Sequence, residues 1–302
     1  MKNMKENISG WLILDKPQGM GSTDAVNITR RLFHAAKNGH AGTLDPFATG
    51  VLPIAFGEAT KILPFVTDGD KIYEFTLKFG SSTNTDDTEG AVCKTGGRIP
   101  KKEEILNILP SFLGDIIQTP PAYCAVKIGG ERAYTLARQG KDFEVPARNV
   151  FIQSLEFLEQ ISADSFRFRV ACSKGTYIRA LGRDIALKLN TFGHLTALRR
   201  TKCGFFCLQD TILLENLKNM VYEGSQQDSL LPIQTPLRDI AALAVTAEDA
   251  VKLRFGQGLS PKKYGIQNNV GNIMAAYFEN CLTALVRIDE NKISPIRVFN
   301  FD

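Results

Sequence analysis

The residues best placed to do chemistry lie between Gly39 and Lys61, in GHAGTLDPFATGVLPIAFGEATK, where Asp45 occupies a Gly-broken loop. Between Ala25 and Thr67 the acids are Asp45 and Glu58 alone, while Arg30, Arg31, Lys37 and His40 lie just upstream. A lone carboxylate in basic surroundings suits a nucleophile. Pro46 pushes Asp45 out of the helical region into extended backbone. Gly39, Gly42 and Gly50 allow backbone and ligand to approach closely. Spacing alone equally permits a plain turn that Asp45 caps and Pro46 begins.

Other candidates are weighed in the same way. Tyr73 lies on an alternating strand, where an aromatic side chain is usually core, although a phenol also offers a flat apolar body with one polar tip. Arg179 falls in the first turn of an expected helix, the end whose dipole favours anions. It is therefore expected to serve an acid or a phosphate, although position alone equally permits a plain surface Arg. Asp86 and Asp87 lie in a polar loop after the Tyr73 strand and suit a turn. His40 has no Glu, Cys or second His at ligand spacing, so no metal site is expected there. Of the six cysteines only Cys203 and Cys207 are close, with no second pair, so zinc is not expected either.

The elements that must position these residues are legible from periodicity. Trp11 to Leu14 predicts a strand, and Ser22 can cap a helix that presents Ala25, Ile28 and Leu32 on one face. Val51 to Ala55 predicts a strand interrupted by Pro53. In residues 71–80 Tyr73, Phe75, Leu77 and Phe79 face one way. Residues 119–142 are irregular, with Tyr123 and Tyr134 among Lys127, Arg132, Arg138 and Lys141, and suit an arm or insertion. A helix is expected from Thr176 to Leu189, buried through Ile178, Leu181, Ile185 and Leu189. Gly224 to Asp228 suits a linker. A short helix begins at Thr246, and strands are expected near 270–277, 282–288 and 293–299.

Composition adds bounds. The 302 residues suggest about two domains, and a net charge of +4 is only mildly basic. The distribution says more: Arg167 to Lys202 holds nine Lys or Arg and one acid, Asp184, and Ala250 to Phe278 holds four basic residues and no acid. Such segments fit a polyanion, or else a solvated face. The start, MKNMKENISG, lacks the apolar stretch of a signal peptide, and no run reaches the ~20 apolar residues of a membrane span. A cytoplasmic protein with reduced cysteines is expected.

GHAGTLDPFATGVLP resembles the catalytic motif of the tRNA pseudouridine-55 synthases, the TruB family. Further matching segments follow in the family's order: Leu14-Asp15-Lys16-Pro17 with Gly19 and Ser22, Lys71-Ile72-Tyr73, Gln118-Thr119-Pro120-Pro121, and Ser173 to Arg179. The resemblance covers residues 10–210 strongly and the rest more loosely. It implies that Asp45 is the nucleophile, that Tyr73 stacks on the target base, and that Arg179 pairs with Asp45, with Asp87 as a second partner. It also implies that His40 stacks in the gap left by a flipped nucleotide, that Leu198 lines the uracil pocket, that Tyr177 binds substrate, and that Lys16 supports the site wall. Lys127, Arg132, Arg199 and Arg200 are expected to meet phosphates, together with Lys141, Lys202, Lys262 and Lys263.

The implied fold is α+β: a mixed, mainly antiparallel central sheet over residues 1–240, with an RNA-gripping insertion at about 119–145. A small PUA-like β domain would follow at 246–302. The implied reaction turns uridine into pseudouridine in the tRNA T loop, without a cofactor, by a monomer needing no protein partner and no membrane. Three other readings are weighed: an RNA-remodelling protein with incidental or lost isomerase activity, which would show the same basic segments and arm; a guide-RNA-dependent pseudouridylase, for which longer extensions and a fuller C-terminal domain are expected; and a hydrolase with an Asp nucleophile, which would want a second carboxylate as general acid.

Overall fold

The computed structural model describes residues 6–266 and 271–300; residues 1–5 and position 270, where a strand is expected to start, lie outside the described residues. In chain order the first elements are β1 (Gly10–Lys16), α1 (Ser22–Leu32), β2 (Asn38–His40), β3 (Thr49–Phe56), α2 (Leu63–Asp68), β4 (Lys71–Phe79), β5 (Ser82–Thr83), β6 (Val92–Lys94) and α3 (Lys102–Ile108). Next come β7 (Gly114–Gln118), β8 (Lys127–Ile128), β9 (Glu131–Arg132), α4 (Ala133–Arg138), β10 (Arg148–Gln160), β11 (Ser165–Cys172) and α5 (Ile178–Lys188). The last are β12 (Gly193–Cys203), β13 (Phe206–Cys207), β14 (Ile212–Leu213), α6 (Leu214–Glu223), β15 (Ala242–Ala244), α7 (Ala247–Arg254), β16 (Ile273–Phe278), β17 (Cys281–Ile288) and β18 (Ile293–Val298).

Ten strands form one sheet in the order β14-β1-β3-β12-β4-β11-β10-β7, with β13 on β12 and β2 on β3. Among the described strands of this sheet the β1–β14 and β3–β12 pairs are parallel and the rest antiparallel, so the fold is α+β with a mixed, mainly antiparallel sheet. The alternation in β4 does what its pattern predicts. Tyr73, Phe75, Leu77 and Phe79 are buried, and across β11 they meet Val170, Phe168 and Phe166. The Phe75 and Phe168 rings stack at 5.2 Å. Burying each such side chain is worth roughly 1.5–3 kcal/mol. β4 lies in the middle of the sheet, between β12 and β11, so Tyr73 is fixed from both sides.

Three local expectations change. Pro53 does not interrupt β3. Its carbonyl accepts from Ala41, just beyond the end of β2, so its missing N–H falls in a gap of the ladder. Ser22 does not cap α1, whose N-cap is Gly21; its hydroxyl is used elsewhere. Gly224 to Asp228 is not a free linker. Gly224 ends α6 in a left-handed conformation, a 3₁₀ turn follows, and Leu231 then bonds Trp11 through both backbone groups.

The strands β15-β16-β17-β18 form a second sheet. It packs against the first rather than hanging from it. Ala275, Leu282, Leu285 and Phe299 share one apolar cluster with Trp11, Ile13, Val51 and Phe206, and Lys61 donates to the Val298 carbonyl at 2.8 Å.

Candidate active site

Asp45 is presented by the loop between β2 and β3, and that loop is tied down from three directions. The Ser22 hydroxyl donates to the Leu44 carbonyl at 2.9 Å and accepts from the Leu44 N–H at 2.8 Å. The Lys16 ammonium donates to the carbonyls of Met20 and Pro46 at 2.6 and 3.2 Å, and the Gly19 N–H also meets Pro46. Arg200 Nη2 donates to the Gly42 carbonyl at 3.2 Å. Gly42 has φ +89°, a conformation that suits glycine. The Asp45 carbonyl accepts from Ala48 at 3.1 Å. The plain-turn reading is therefore satisfied by its backbone, which leaves the carboxylate available, one third exposed.

Arg179 Nε lies 2.9 Å from Asp45 Oδ2, and Nη1 lies 3.4 Å from Asp87 Oδ2. The same guanidinium donates to the Thr85 and Tyr123 carbonyls at 2.7 and 2.9 Å. With 4% exposure, it is a buried cation between two carboxylates. Asp87 is held in turn, accepting from the Thr85 hydroxyl at 2.6 Å and the Glu89 N–H at 2.9 Å. Asp86 points the other way, to Arg183 at 3.1 Å. The buried Gln118 side chain accepts from the Tyr177 N–H at 2.8 Å and donates to its carbonyl at 3.1 Å. Tyr177 is the N-cap of α5, so this amide sets where Arg179 enters the site.

Two cavities meet at this pair. A cleft of about 720 Å³ is lined by Asp45, Arg179, Asp87, Tyr123, Arg132 and Tyr134 among others. A smaller pocket of about 230 Å³ is lined by Asp45, Arg179, Tyr73, Tyr177, Leu198, Lys71 and Arg200 among others. Asp45 and Arg179 belong to both. The Tyr73 phenol is pushed up to about 12 by burial, with the Arg200 cation pulling against it. Burial also pushes the Tyr177 phenol up to about 12, so both hydroxyls keep their protons near neutrality. Burial pulls the Lys16 ammonium down to about 8, with Asp45 partly offsetting.

Several expected contacts are corrected by this geometry. Arg200 is 1% exposed and donates to the Val51 carbonyl at 2.7 Å, so it cannot reach a phosphate on the surface. Arg199 forms a two-point pair with Asp15 at 3.0 and 2.7 Å. Lys16 is fully buried, so it braces the wall and touches nothing in the cleft. His40 ends β2 opposite Ile54 and lines neither cavity; burial first and Arg200 second lower its pKa. Lys127 is exposed on the β8–β9 hairpin.

The basic segment is largely neutralised. Six of its nine cations pair with carboxylates distant in sequence or adjacent: Arg167 with Glu159, Arg169 with Glu74, Lys174 with Asp68, Arg179 with Asp45 and Asp87, Arg183 with Asp86 and Asp184, and Arg199 with Asp15. Lys263 likewise pairs with Asp249 at 2.5 Å.

Sequence reasoning missed Lys71, Thr85, Tyr123 and Ser22 as parts of the site. Lys71 lay beside Tyr73 in a matched motif, and its ammonium bonds the Thr67 and Gly69 carbonyls beneath the pocket. Tyr123 bonds Arg179 through its backbone carbonyl, which carries no side-chain signal, and Thr85 uses both its carbonyl, toward Arg179, and its hydroxyl, toward Asp87.

Residues 30–178 match the model of the TruB family pseudouridylate synthase N-terminal domain, and residues 179–240 that of the tRNA pseudouridylate synthase B C-terminal domain. A solved H/ACA RNP bound to a substrate RNA containing 2′-deoxyuridine has the same fold, with TM-score 0.74 and 22% identity over 97% of this chain and 85% of that one. A Cbf5-Nop10-Gar1 complex gives TM-score 0.72 at 26% identity over 97% and 84%. The class is that of the pseudouridylate synthases, isomerases of RNA uridine. The tRNA pseudouridine synthase B of Caulobacter vibrioides is 45% identical over 97% of this chain and 96% of its own. That of Bradyrhizobium diazoefficiens is 47% identical over 98% and 87%. Within the class, this chain belongs to the TruB family.

Proposed function

We propose that the chain isomerises uridine to pseudouridine at position 55, in the T loop of tRNA. One observation carries this most: Asp45 and its buried partner Arg179 stand where a wide cleft opens into a small, apolar-walled pocket. The cleft suits a folded RNA strand and the pocket a single base. The target base leaves its stack, which costs a few kcal/mol, and enters between Tyr73, Leu198 and Tyr177. Stacking on an aromatic ring returns roughly 1–3 kcal/mol per base.

Asp45 is the nucleophile, attacking C1′ of the ribose or C6 of the ring. Arg179 aims its carboxylate, and Asp87 holds Arg179 from the opposite side. The N1–C1′ bond breaks, the uracil turns, and a C5–C1′ bond forms. A proton leaves C5 and one is gained at N1, so nothing is oxidised or hydrolysed overall. The arm from β8 to α4, with Lys127 and Arg132, grips the backbone. RNA of this kind is read by shape and unstacked bases.

The test is an unmodified tRNA transcript incubated with purified protein and no guide RNA. Pseudouridine at position 55 supports the reading. Modification of a scrambled loop at the same rate would replace it with a broader pseudouridylase, and no pseudouridine on any tRNA would leave an RNA-binding protein.

A further inference from the structure

Arg200 is not used by the mechanism above, yet it is among the largest fully buried side chains of the protein. The register of the sheet puts it there. Arg200 faces Tyr73 across the β12–β4 ladder and Gly50 across the β12–β3 ladder. Directly opposed residues have side chains on the same face, so its guanidinium runs alongside the phenol. A side chain on Gly50 would strike the Arg200 backbone, at 2.2 Å from its carbonyl oxygen, so this close packing requires glycine there.

The guanidinium donates to the carbonyls of Val51 and Gly42, and Arg200 and Tyr73 line the same pocket. Among the described residues no carboxylate lies at ion-pair distance from Arg200. Arg179 is the contrast, since its charge is spent on Asp45 and Asp87. Arg200 also helps to lower the pKa values of Lys16, His40 and Lys71, burial being the larger cause in each. An unneutralised cation thus lines the base pocket.

We propose that Arg200 is a positioning residue for the detached uracil: it holds the Tyr73 phenol against the base and places an uncompensated positive charge behind it. When the N1–C1′ bond breaks, its electron pair goes to the base. The resulting anion spreads its charge over N1 and the two carbonyl oxygens. A fixed cation in a water-poor site stabilises charge that develops in the transition state, without reorganising. The stabilisation ends when the C5–C1′ bond forms, C5 loses its proton and N1 gains one.

This rests on the uridine-isomerase reading, which wild-type protein tests by itself: if wild type makes no pseudouridine, that reading fails. Given an active wild type, Arg200→Met and Arg200→Lys are compared in single turnover on two T-arm stem-loops, one carrying uridine and one 5-fluorouridine at the target. The readout is loss of the N-linked nucleoside, beside RNA affinity and thermal midpoint. Fluorine withdraws electrons and stabilises the base anion without help. Arg200→Met is expected to slow uridine by about 10²-fold or more, the scale of losing one preorganised donor, with affinity little changed. It should slow 5-fluorouridine by a clearly smaller factor. Equal factors on the two substrates, or a loss confined to affinity, would reduce Arg200 to a structural brace and overturn the proposal. If Arg200→Met does not fold, Arg200→Lys decides. It keeps the charge and loses the planar fork, so its overall rate should fall while the uridine to 5-fluorouridine ratio stays at the wild-type value. A ratio shifted toward 5-fluorouridine in that variant would also overturn the proposal.

Discussion

On the inner face of the main sheet Arg179, with its side chain 5% exposed, stands between Asp45 and Asp87. On the opposite face of the same strand that carries Tyr73, Glu74 pairs with Arg169 at 2.7 Å, the two side chains 28% and 46% exposed. Arg167 with Glu159 and Arg199 with Asp15 belong to the same outward group of pairs. The residue types are the same in both regions and the distances are similar. What differs is access to water. An exposed pair is worth roughly 0–1 kcal/mol because solvent already screens both charges. A buried cation that loses its partner costs roughly 3–5 kcal/mol, because the other charge is stranded. Ion-pair counting would rank the outer face higher; burial ranks the inner one.

The sharpest challenge to that contrast is Asp45→Asn. It keeps the shape of the side chain and removes the charge that would attack. Pseudouridine formation should fall to background, with tRNA affinity near wild type. Turnover of even a few per cent would break the assignment of Asp45, measured by nucleoside analysis of a modified transcript.

Arg179→Met comes next. It should lower turnover by about 10²-fold or more through loss of aim. It should also lower unfolding free energy by roughly 3–5 kcal/mol, through the stranded Asp87. Arg179→Lys should rescue stability in part and activity little, because an ammonium cannot span both carboxylates as a planar fork does. Equal losses in affinity and turnover would instead mark Arg179 as a phosphate contact.

The arm offers an intermediate test. Lys127→Ala with Arg132→Ala should weaken tRNA binding and make its salt dependence shallower by about two counterions, with single-turnover rate at saturation preserved. An unchanged salt slope would remove the arm from the RNA interface. Arg199→Ala, by contrast, should leave the slope unchanged, since its charge is committed to Asp15.

The smallest effect is expected from Arg169→Ala. Stability should change by no more than about 1 kcal/mol, and activity not at all. A loss as large as that of Arg179→Met would erase the distinction between the two faces.

The C-terminal sheet sets a limit on truncation experiments. Phe299 is fully buried in the cluster that also holds Trp11 and Phe206. Removing residues 242–302 would expose that core, so point variants are the better probe of its contribution to RNA binding.

Much of this site is legible in the sequence, because its signals are local. Pro46 after Asp45, the period-two run from Tyr73 to Phe79 and the helical spacing of Ile178, Leu181 and Ile185 each rest on a few neighbouring residues. The elements appear where these patterns put them, and Asp45, Tyr73, Arg179, Tyr177 and Leu198 share one pocket. Which cations remain free is another matter. The density of Lys and Arg between 167 and 202 is a property of the chain alone, whereas their neutralisation depends on Asp15, Asp45, Asp68, Glu74 and Asp87, all brought in by strand order. Arg199 and Arg200 are adjacent in sequence and indistinguishable there. The pleat of β12 sends one outward to Asp15 and the other inward beside Tyr73, because successive side chains of a strand point to opposite faces. Sequence determined which residues could do chemistry; only the packed sheet decided which charges are screened, which are buried, and which therefore carry energy.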